Sequence, residues 1–333
     1  MAPSLQMYGQ SAIPRRDSDP LRALAAKGFR PFFLLAAIFA SLIVPLWLLV
    51  LSGRFAPGDY LAPASWHAHE MLFGYAVAVI AGFLLTAVSN WTQRETVTGR
   101  ALLGLCGLWL AGRFGLLTAA ALPRGAAAAI DLAFLPAVAL AIGRPLVLAK
   151  NRRNFVMLGL LFLLFTTNAA MHAEPLGLLP PGTAHRAALV TVDLIVVLLA
   201  LMAGRIFPMF TRNATGVASV RSIPALDLAA VAALVALSAA DALALSGAAI
   251  SWIASVACVL AIARAVHWGA RFTLTQPLLW ILHAGYAWIP LGLLLRAAGN
   301  LLALHALTVG ALGALTLGMM ARVSLGHTGR PLA

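Results

Sequence analysis

The sequence predicts an all-α protein, a polytopic transmembrane helical bundle of about ten spans. Of its 333 residues, 62% are hydrophobic and 10% are charged, whereas a soluble domain is about 45–50% apolar and about 25% charged. Apolar windows of about 20 residues, the length that crosses a bilayer core of about 30 Å, recur ten times. The windows are rich in Leu, Ala, Val and Gly. They lack the alternation of membrane strands, which excludes a β-barrel.

The spans follow one another with short connections. They are predicted at about residues 29–52, 66–89, 101–120, 125–148, 154–173, 186–207, 224–245, 249–267, 276–296 and 300–322. Residues 1–28 form a polar and basic tail with a short amphipathic stretch near Leu21–Lys27, and residues 323–333 form a second tail. The domain organisation is therefore one transmembrane domain, 29–322, between two cytoplasmic tails.

The basic residues predict the orientation. If the N-terminus is cytoplasmic, Arg54, Arg124, Arg186 and Arg296 lie outside, Arg113 lies within a span, and the other 18 of the 23 Lys and Arg residues lie inside. This positive-inside bias predicts that both termini are cytoplasmic. The net charge of +13 then reflects basic inner loops, and without a patch of interleaved basic and aromatic residues it does not indicate nucleic-acid binding.

Histidines are the most informative residues of the predicted spans. Five of the eight gather near the outer face: His67 and His69 at the start of the second span, His172 at the end of the fifth, His185 at the start of the sixth, and His305 about 8 Å deep in the tenth. His283 lies deeper, in the ninth span. Polar side chains at hydrocarbon depth are rare and usually functional. His267 and His327 lie at the inner surface and are interpreted as solvated.

This set of ligands favours haem iron or copper, because it offers imidazoles with few carboxylates and no thiolate pair. The sequence contains no HExxH, CxxC or CxxCH motif, which excludes a zinc protease site and covalent haem attachment. His67 and His69 lie about 200° apart around a helix and cannot both face one metal. Either His67 lies in the loop before the span and His69 points inward, or the two serve different centres.

Several of these residues also allow a structural interpretation. His172 and His185 are equally typical of interfacial anchors. Glu70 is a candidate proton donor if it is buried, or a carboxylate that stabilises a helix N-terminus. Arg113 either pairs with Asp131 or Asp193 in the bundle interior or extends its head group to the outer interface.

A weak internal repeat relates parts of the bundle. "FRPFFLLAAIFA" opens the first span and "RNFVMLGLLFLLF" opens the fifth, and each is followed by a span that begins with histidine. A period of four helices would place His69, His185 and His305 at equivalent ends, with sites at the interface between repeats. Chance similarity between Leu- and Ala-rich helices is the alternative.

Four ordered segments resemble the NnrS family: "GFRPFFLL", "WHAHEMLFGYAVAVIAGFLLTAV", "GRIFPMFTRN" and "HALTVGALGALTLGMMARVSLGHTGRP". The resemblance implies a bacterial inner-membrane protein that contains haem and copper and is linked to denitrification and to nitric oxide tolerance. It places His67, His69, Glu70 and His305 within motif segments. His172, His185 and His283 are candidates by position and chemistry alone. Members of that family continue for about two more spans, and whether those helices supply ligands stays open.

The expected function is therefore that of a haem-binding, copper-containing membrane protein acting in nitric oxide response, detoxification or reduction. The candidate ligands of a b-type haem are His69 and His305, which lie in motif segments, and His283, which is a candidate by position and chemistry. The candidate metal ligands are His67, His69, His172, His185 and His305. Glu70 is the candidate proton donor, nitric oxide reaches the site through the lipid bilayer, and the electron donor is not identified. Whether the protein catalyses the turnover of nitric oxide is left open.

Two other classes of function remain open at this point. One is a transporter of a small solute or metal, in which Pro45, Pro136 and Pro208 break or end helices. The other is an assembly factor for a respiratory complex.

Overall fold

Ten long helices form the described part of the protein, as the fold class predicted. The computed structural model describes residues 19–123 and 125–329, and no strand occurs among them. The helices are α1 (Phe29–Leu51), α2 (Pro63–Thr92), α3 (Gly99–Leu117), α4 (Ala126–Leu148), α5 (Arg152–Ala173), α6 (Thr183–Thr215), α7 (Pro224–Ala242), α8 (Gly247–Phe272), α9 (Pro277–Ala297) and α10 (Ala303–His327). Each predicted span corresponds to one helix, and the chain is multi-pass.

The two ends of the bundle are named here after residues that they carry. The Tyr60 face holds the connections 52–62, 118–123, 174–182, 243–246 and 298–302, and the Lys27 face holds 19–28, 93–98, 149–151, 216–223 and 273–276. Proline occupies the first turn of α2, α7 and α9, where its missing N–H costs nothing. Gly216 ends α6 with a φ of 70°, a left-handed conformation that glycine adopts without strain.

The helices α2 and α6 form the centre of the bundle. In their apolar stretches 78% and 72% of the residues are buried, against 44% or less in the other eight helices. The helix α1 packs on α2 and α10, and α6 contacts α2, α5, α7, α9 and α10. The opposite side of α1 exposes Leu34, Leu42 and Leu48, which is expected of a surface that faces lipid. The helices α2 and α6 therefore supply most of the buried surface on which a site between helices can form.

Two helices contain a π-helical segment at the same relative place. In α2 the segment is Glu70–Ala76, directly after His69, and in α10 it is Ala306–Gly313, directly after His305. The helix α6 has no such segment. Helices of the π type are rare and concentrate at functional sites. This likeness extends the predicted repeat for α2 and α10, but not for α6.

Several local expectations differ from the structure. His67 lies inside the helical part Pro63–His69 and not in a preceding loop, because Pro63 starts the helix one turn earlier than the apolar run indicates. Pro45 and Pro208 lie within continuous helices. The helix α4 is interrupted at Ala133, three residues before Pro136.

The predicted tails are only partly within the described residues. The expected amphipathic stretch is a short helix, Pro20–Leu24, and α10 continues to His327, beyond the predicted end at 322. The rest of the predicted tails, 1–18 and 330–333, lies outside the described residues.

Candidate metal centre

Three metal-capable side chains meet inside the bundle near the Tyr60 face. Oδ2 of Asp131, from α4, lies 3.3 Å from Nε2 of His69 in α2 and 3.1 Å from Nε2 of His172 in α5. One ligand atom of each residue lies within 4.8 Å of the others. All three side chains are buried, and the two imidazole rings meet edge to face with centroids 5.1 Å apart. These three residues are called the His69–Asp131–His172 centre below.

The spacing of the donor atoms suits one metal ion. Tetrahedral ligands about 2.0–2.1 Å from a metal lie about 3.4 Å from one another, and the measured separations from Asp131 are 3.3 and 3.1 Å. Two imidazoles and a carboxylate are ligands that copper, zinc and iron all accept. The two imidazole nitrogens lie within 4.8 Å of each other, so the three residues could hold a transition metal.

Two further side chains fix the orientation of the histidines. The amide of Asn168 donates through Nδ2 to Asp131 Oδ2 at 2.8 Å, and its Oδ1 accepts from His69 Nε2 at 2.9 Å. The hydroxyl of Tyr60, in the loop before α2, lies 3.0 Å from Nδ1 of His172. Burial raises the pKa of Tyr60 to about 12, so its hydroxyl stays protonated at neutral pH. The Tyr60 contact at Nδ1 leaves His172 Nε2 to face Asp131 and is an outer-shell hydrogen bond of the kind that selects the tautomer of a ligand histidine. For His69 that role falls to Glu70 at Nδ1, because a metal on Nε2 would displace the contact with Asn168.

Arg113 holds the acidic residues of the centre in place. Its guanidinium donates to Glu70 Oε1 at 2.8 Å and forms an ion pair with Asp131 Oδ1. Glu70 Oε1 also lies 3.3 Å from Nδ1 of His69. With neutral histidines, the two carboxylates and one guanidinium leave a net charge of −1. A buried uncompensated charge is costly, so one monovalent cation or one proton would neutralise the site.

Two glycines allow these groups to approach one another. A Cβ atom at Gly112 of α3 would lie 2.9 Å from Asp131 Oδ1, and one at Gly74 of α2 would lie 3.3 Å from Nη1 of Arg113 and 2.6 Å from the Phe39 ring. The indole N–H of Trp109 donates to the carbonyl of Gly74 at 3.1 Å, within the π-helical segment. The centre thus requires small residues on the two helices that carry Arg113 and Glu70.

The other predicted ligands lie outside this centre. His67 stacks on Trp47 with centroids 4.3 Å apart, and its Nδ1 is buried without a hydrogen-bond partner. His305 is exposed and lies within electrostatic range of His67. His283 lies 3.0 Å from the hydroxyl of Thr211 and packs on Phe207. His185 is exposed at the start of α6.

Sequence reasoning found part of this arrangement. The choice of Asp131 as a partner of Arg113 is confirmed, and Asp193 pairs with Arg296 instead. The roles of Asn168 and Tyr60 were missed. Asn168 and His172 are four residues apart on α5 and therefore share one face of that helix, which is the signal that would have identified Asn168.

A second buried arginine cluster lies near the same face, between α6, α7 and α9. Arg296 donates to Asp193 Oδ1 at 3.0 Å and forms an ion pair with Asp241. Within the described part of the chain no histidine joins it. These three residues are called the Arg296 cluster below.

The fold and the centre define a polytopic α-helical membrane protein with a buried His/Asp/His group that could bind a metal. The family model of the NnrS protein matches residues 23–333, nearly the whole chain. This protein therefore belongs to the NnrS family. No curated protein and no solved structure matches the chain.

Proposed function

We propose that this protein is a haem- and copper-containing protein of the bacterial inner membrane. It acts in the response to nitric oxide, in the detoxification of nitric oxide or in its reduction. The observation that carries the proposal is the buried His69–Asp131–His172 centre in a member of the NnrS family. Copper bound there would supply a one-electron redox centre. The chain contributes the ligands, the charge balance and the outer-shell hydrogen bonds.

Copper is favoured over a harder metal by the donor set and by the charge. Two imidazoles and one carboxylate oxygen face the same point, and imidazole suits copper better than calcium or magnesium. The net charge of −1 is balanced by Cu(I), whereas a divalent ion would leave the buried site positive. Glu70 at Nδ1 of His69 and Tyr60 at Nδ1 of His172 would keep both imidazoles oriented after binding.

Glu70 is proposed as the residue that carries a proton to the centre. Its Oε1 atom is occupied by Arg113 and His69, but its Oε2 atom is buried without a hydrogen-bond partner. A buried carboxylate oxygen without a partner can accept a proton or contact an incoming ligand. Nitric oxide is small and neutral, so it can reach such a site through the bilayer.

Haem is proposed as the second cofactor, with His69, His305 and His283 as candidate ligands. His69 turns Nε2 towards Asp131 and Nδ1 towards Glu70, so this residue suits the copper centre better. His67 and His305 are better available, because His67 Nδ1 has no hydrogen-bond partner and His305 is exposed. His185, at the start of α6, is retained as a peripheral metal ligand.

Metal and haem analysis of the protein purified in detergent tests the proposal. We expect about one copper per chain, a haem Soret band, and consumption of nitric oxide by reduced protein. His69→Asn and His172→Asn should each lose copper, while His267→Asn on the Lys27 face keeps it. Wild-type protein without copper and haem, or full copper content in both variants, would contradict the proposal.

Orientation is a separate part of the proposal. The basic residues favour a cytoplasmic N-terminus, which would put the Tyr60 face and the metal centre on the periplasmic side. Single cysteines in loops 53–62 and 174–182 should react with an impermeant thiol reagent in intact cells, while cysteines replacing Arg152 or Arg221 should not. The opposite labelling pattern would reverse the orientation.

A further inference from the structure

A cavity of about 430 Å³ lies near the Lys27 face, at the other end of the bundle from the metal centre. Three helices line it: α2 through Phe83 and Trp91, α6 through Met202 and Phe210, and α10 through Met319. Residues of the N-terminal end of α5 complete the wall. Its volume falls within the range of small-molecule sites. We call it the Arg205 cavity.

Among the described residues, the charged side chains that line the cavity, Arg153 and Arg205, are both basic, and no aspartate or glutamate lines it. The imidazole of His327 also lines the cavity. Arg322, close by on α10, lies over the Phe210 ring at 4.0 Å from the centroid. The neutral polar side chains of Asn90 and Asn154 add hydrogen-bonding capacity.

Arg205 differs from the buried arginines elsewhere in the bundle. Arg113, Arg264 and Arg296 each form an ion pair with at least one carboxylate. Arg205 instead donates to the neutral Oδ1 of Asn154 at 2.8 Å, and among the described residues no carboxylate forms an ion pair with it. Arg205 is only partly exposed, and an arginine that is largely removed from water is normally paired with an anion, so the missing partner points to an anionic ligand.

We propose that the Arg205 cavity binds an amphipathic anion, with its acidic group on Arg205 and Arg153 and its apolar body among Phe83, Met202 and Phe210. Methionines and aromatic rings suit such a body, because they are apolar and adapt to its shape. The acidic group is a carboxylate or a phosphate. Its two sources are the propionates of a porphyrin and the head group of an anionic phospholipid. This proposal does not depend on the copper centre, and a porphyrin in this cavity would be distinct from the haem proposed at His67 and His305, which lie towards the other end of the bundle.

Binding to the detergent-purified full chain tests the proposal. Haemin and phosphatidylglycerol are titrated separately and bound ligand is counted by native mass spectrometry, with phosphatidylcholine as the neutral reference. Arg205→Gln should lower the affinity for one of the two anions by about tenfold or more, because a charge-assisted contact is lost. Arg205→Lys should retain most of the affinity. Arg152→Gln removes the same charge outside the cavity and should bind like wild type.

A second variant separates loss of binding from loss of folding. Met319→Glu places a carboxylate in the cavity wall, so it supplies a counter-charge and should keep monodisperse elution while it abolishes binding. Tight binding of haemin identifies a porphyrin, and tight binding of phosphatidylglycerol identifies a lipid. Equal affinity of Arg205→Gln and Arg152→Gln, or no stoichiometric binding of either anion to wild type, would overturn the proposal. Copper content measured on the same samples reports the metal centre independently.

Discussion

The two arginine clusters near the Tyr60 face share one framework and differ in what surrounds it. In each, one buried guanidinium bridges two carboxylates, Glu70 and Asp131 for Arg113, and Asp193 and Asp241 for Arg296. Each also leaves one carboxylate oxygen buried without a hydrogen-bond partner. The first cluster has two histidines and an amide within hydrogen-bond distance, whereas the second, within the described residues, has no histidine.

This difference separates structural from chemical roles. An arginine between two carboxylates joins three helices in a low-dielectric interior, and both clusters do so. Only the first adds neutral nitrogen donors that accept a metal ion. The Arg296 cluster is therefore a control within the same protein, because its variants alter a buried ion network without altering metal ligands.

The largest expected effect is on folding, and it should be shared by the two clusters. Arg113→Met and Arg296→Met each leave two buried carboxylates without their cation, which costs about 3–5 kcal/mol of unfolding free energy. Thermal unfolding in detergent measures this. Arg113→Met should also lose copper from the protein that remains folded, whereas Arg296→Met should keep it. Unchanged stability of both variants would show that the buried pairs contribute little.

The second largest effect is on copper affinity, without an effect on folding. His69→Asn and His172→Asn keep a polar side chain of moderate size, so they should fold while their copper affinity falls by more than the roughly 10–100-fold typical of outer-shell changes. Competition with a chelator measures the affinity. Asp241→Asn in the Arg296 cluster is the control and should bind copper like wild type. A similar loss in all three variants would mean that any disturbance near this face releases the metal.

Asn168 should have an intermediate effect because it contacts both Asp131 and His69. Asn168→Ala should lower copper affinity by about tenfold and unfolding free energy by about 1–2 kcal/mol. Asn154→Ala removes another buried amide, near the Lys27 face, and should leave copper unchanged. If Asn168→Ala binds copper as tightly as wild type, Asn168 does not contribute to the metal centre.

The smallest effect concerns Tyr60 and pH. Because burial raises the pKa of Tyr60 to about 12, the unfolded chain loses this proton at lower pH than the folded chain does. Between about pH 10 and 12 the folded state binds more protons, so stability falls as the pH rises. Tyr60→Phe should lose less stability over that range and should change copper affinity only a few-fold at pH 7.

Tyr75→Phe is the matched control for this experiment. The Tyr75 hydroxyl lies 2.7 Å from Thr316 Oγ1, away from the metal centre. Its variant should keep the copper affinity of wild type at pH 7. If wild type and Tyr60→Phe show the same dependence of stability on pH, the Tyr60 hydroxyl is solvated.

The sequence predicted the helices well and the centre only in part. Each apolar run that is long enough to cross a bilayer became a helix, because an unpaired backbone group in lipid is too costly for any other structure. The same cost made the polar residues within those runs, such as Arg113 and His172, visible as candidates. Tyr60 carried no such signal, because it lies in a polar loop where tyrosine is common.

What the sequence determined by itself is therefore the fold class, the ten spans and the short set of polar residues that needed partners. The tertiary structure decided which of them meet. His172 and Asp131 are 41 positions apart, and His69 and Asn168 are 99 apart. Their contact depends on which helices are neighbours and how each is rotated. Close approach at glycines such as Gly112 sets that arrangement, and hydropathy does not encode it, because every apolar face is equally compatible with lipid and with another helix.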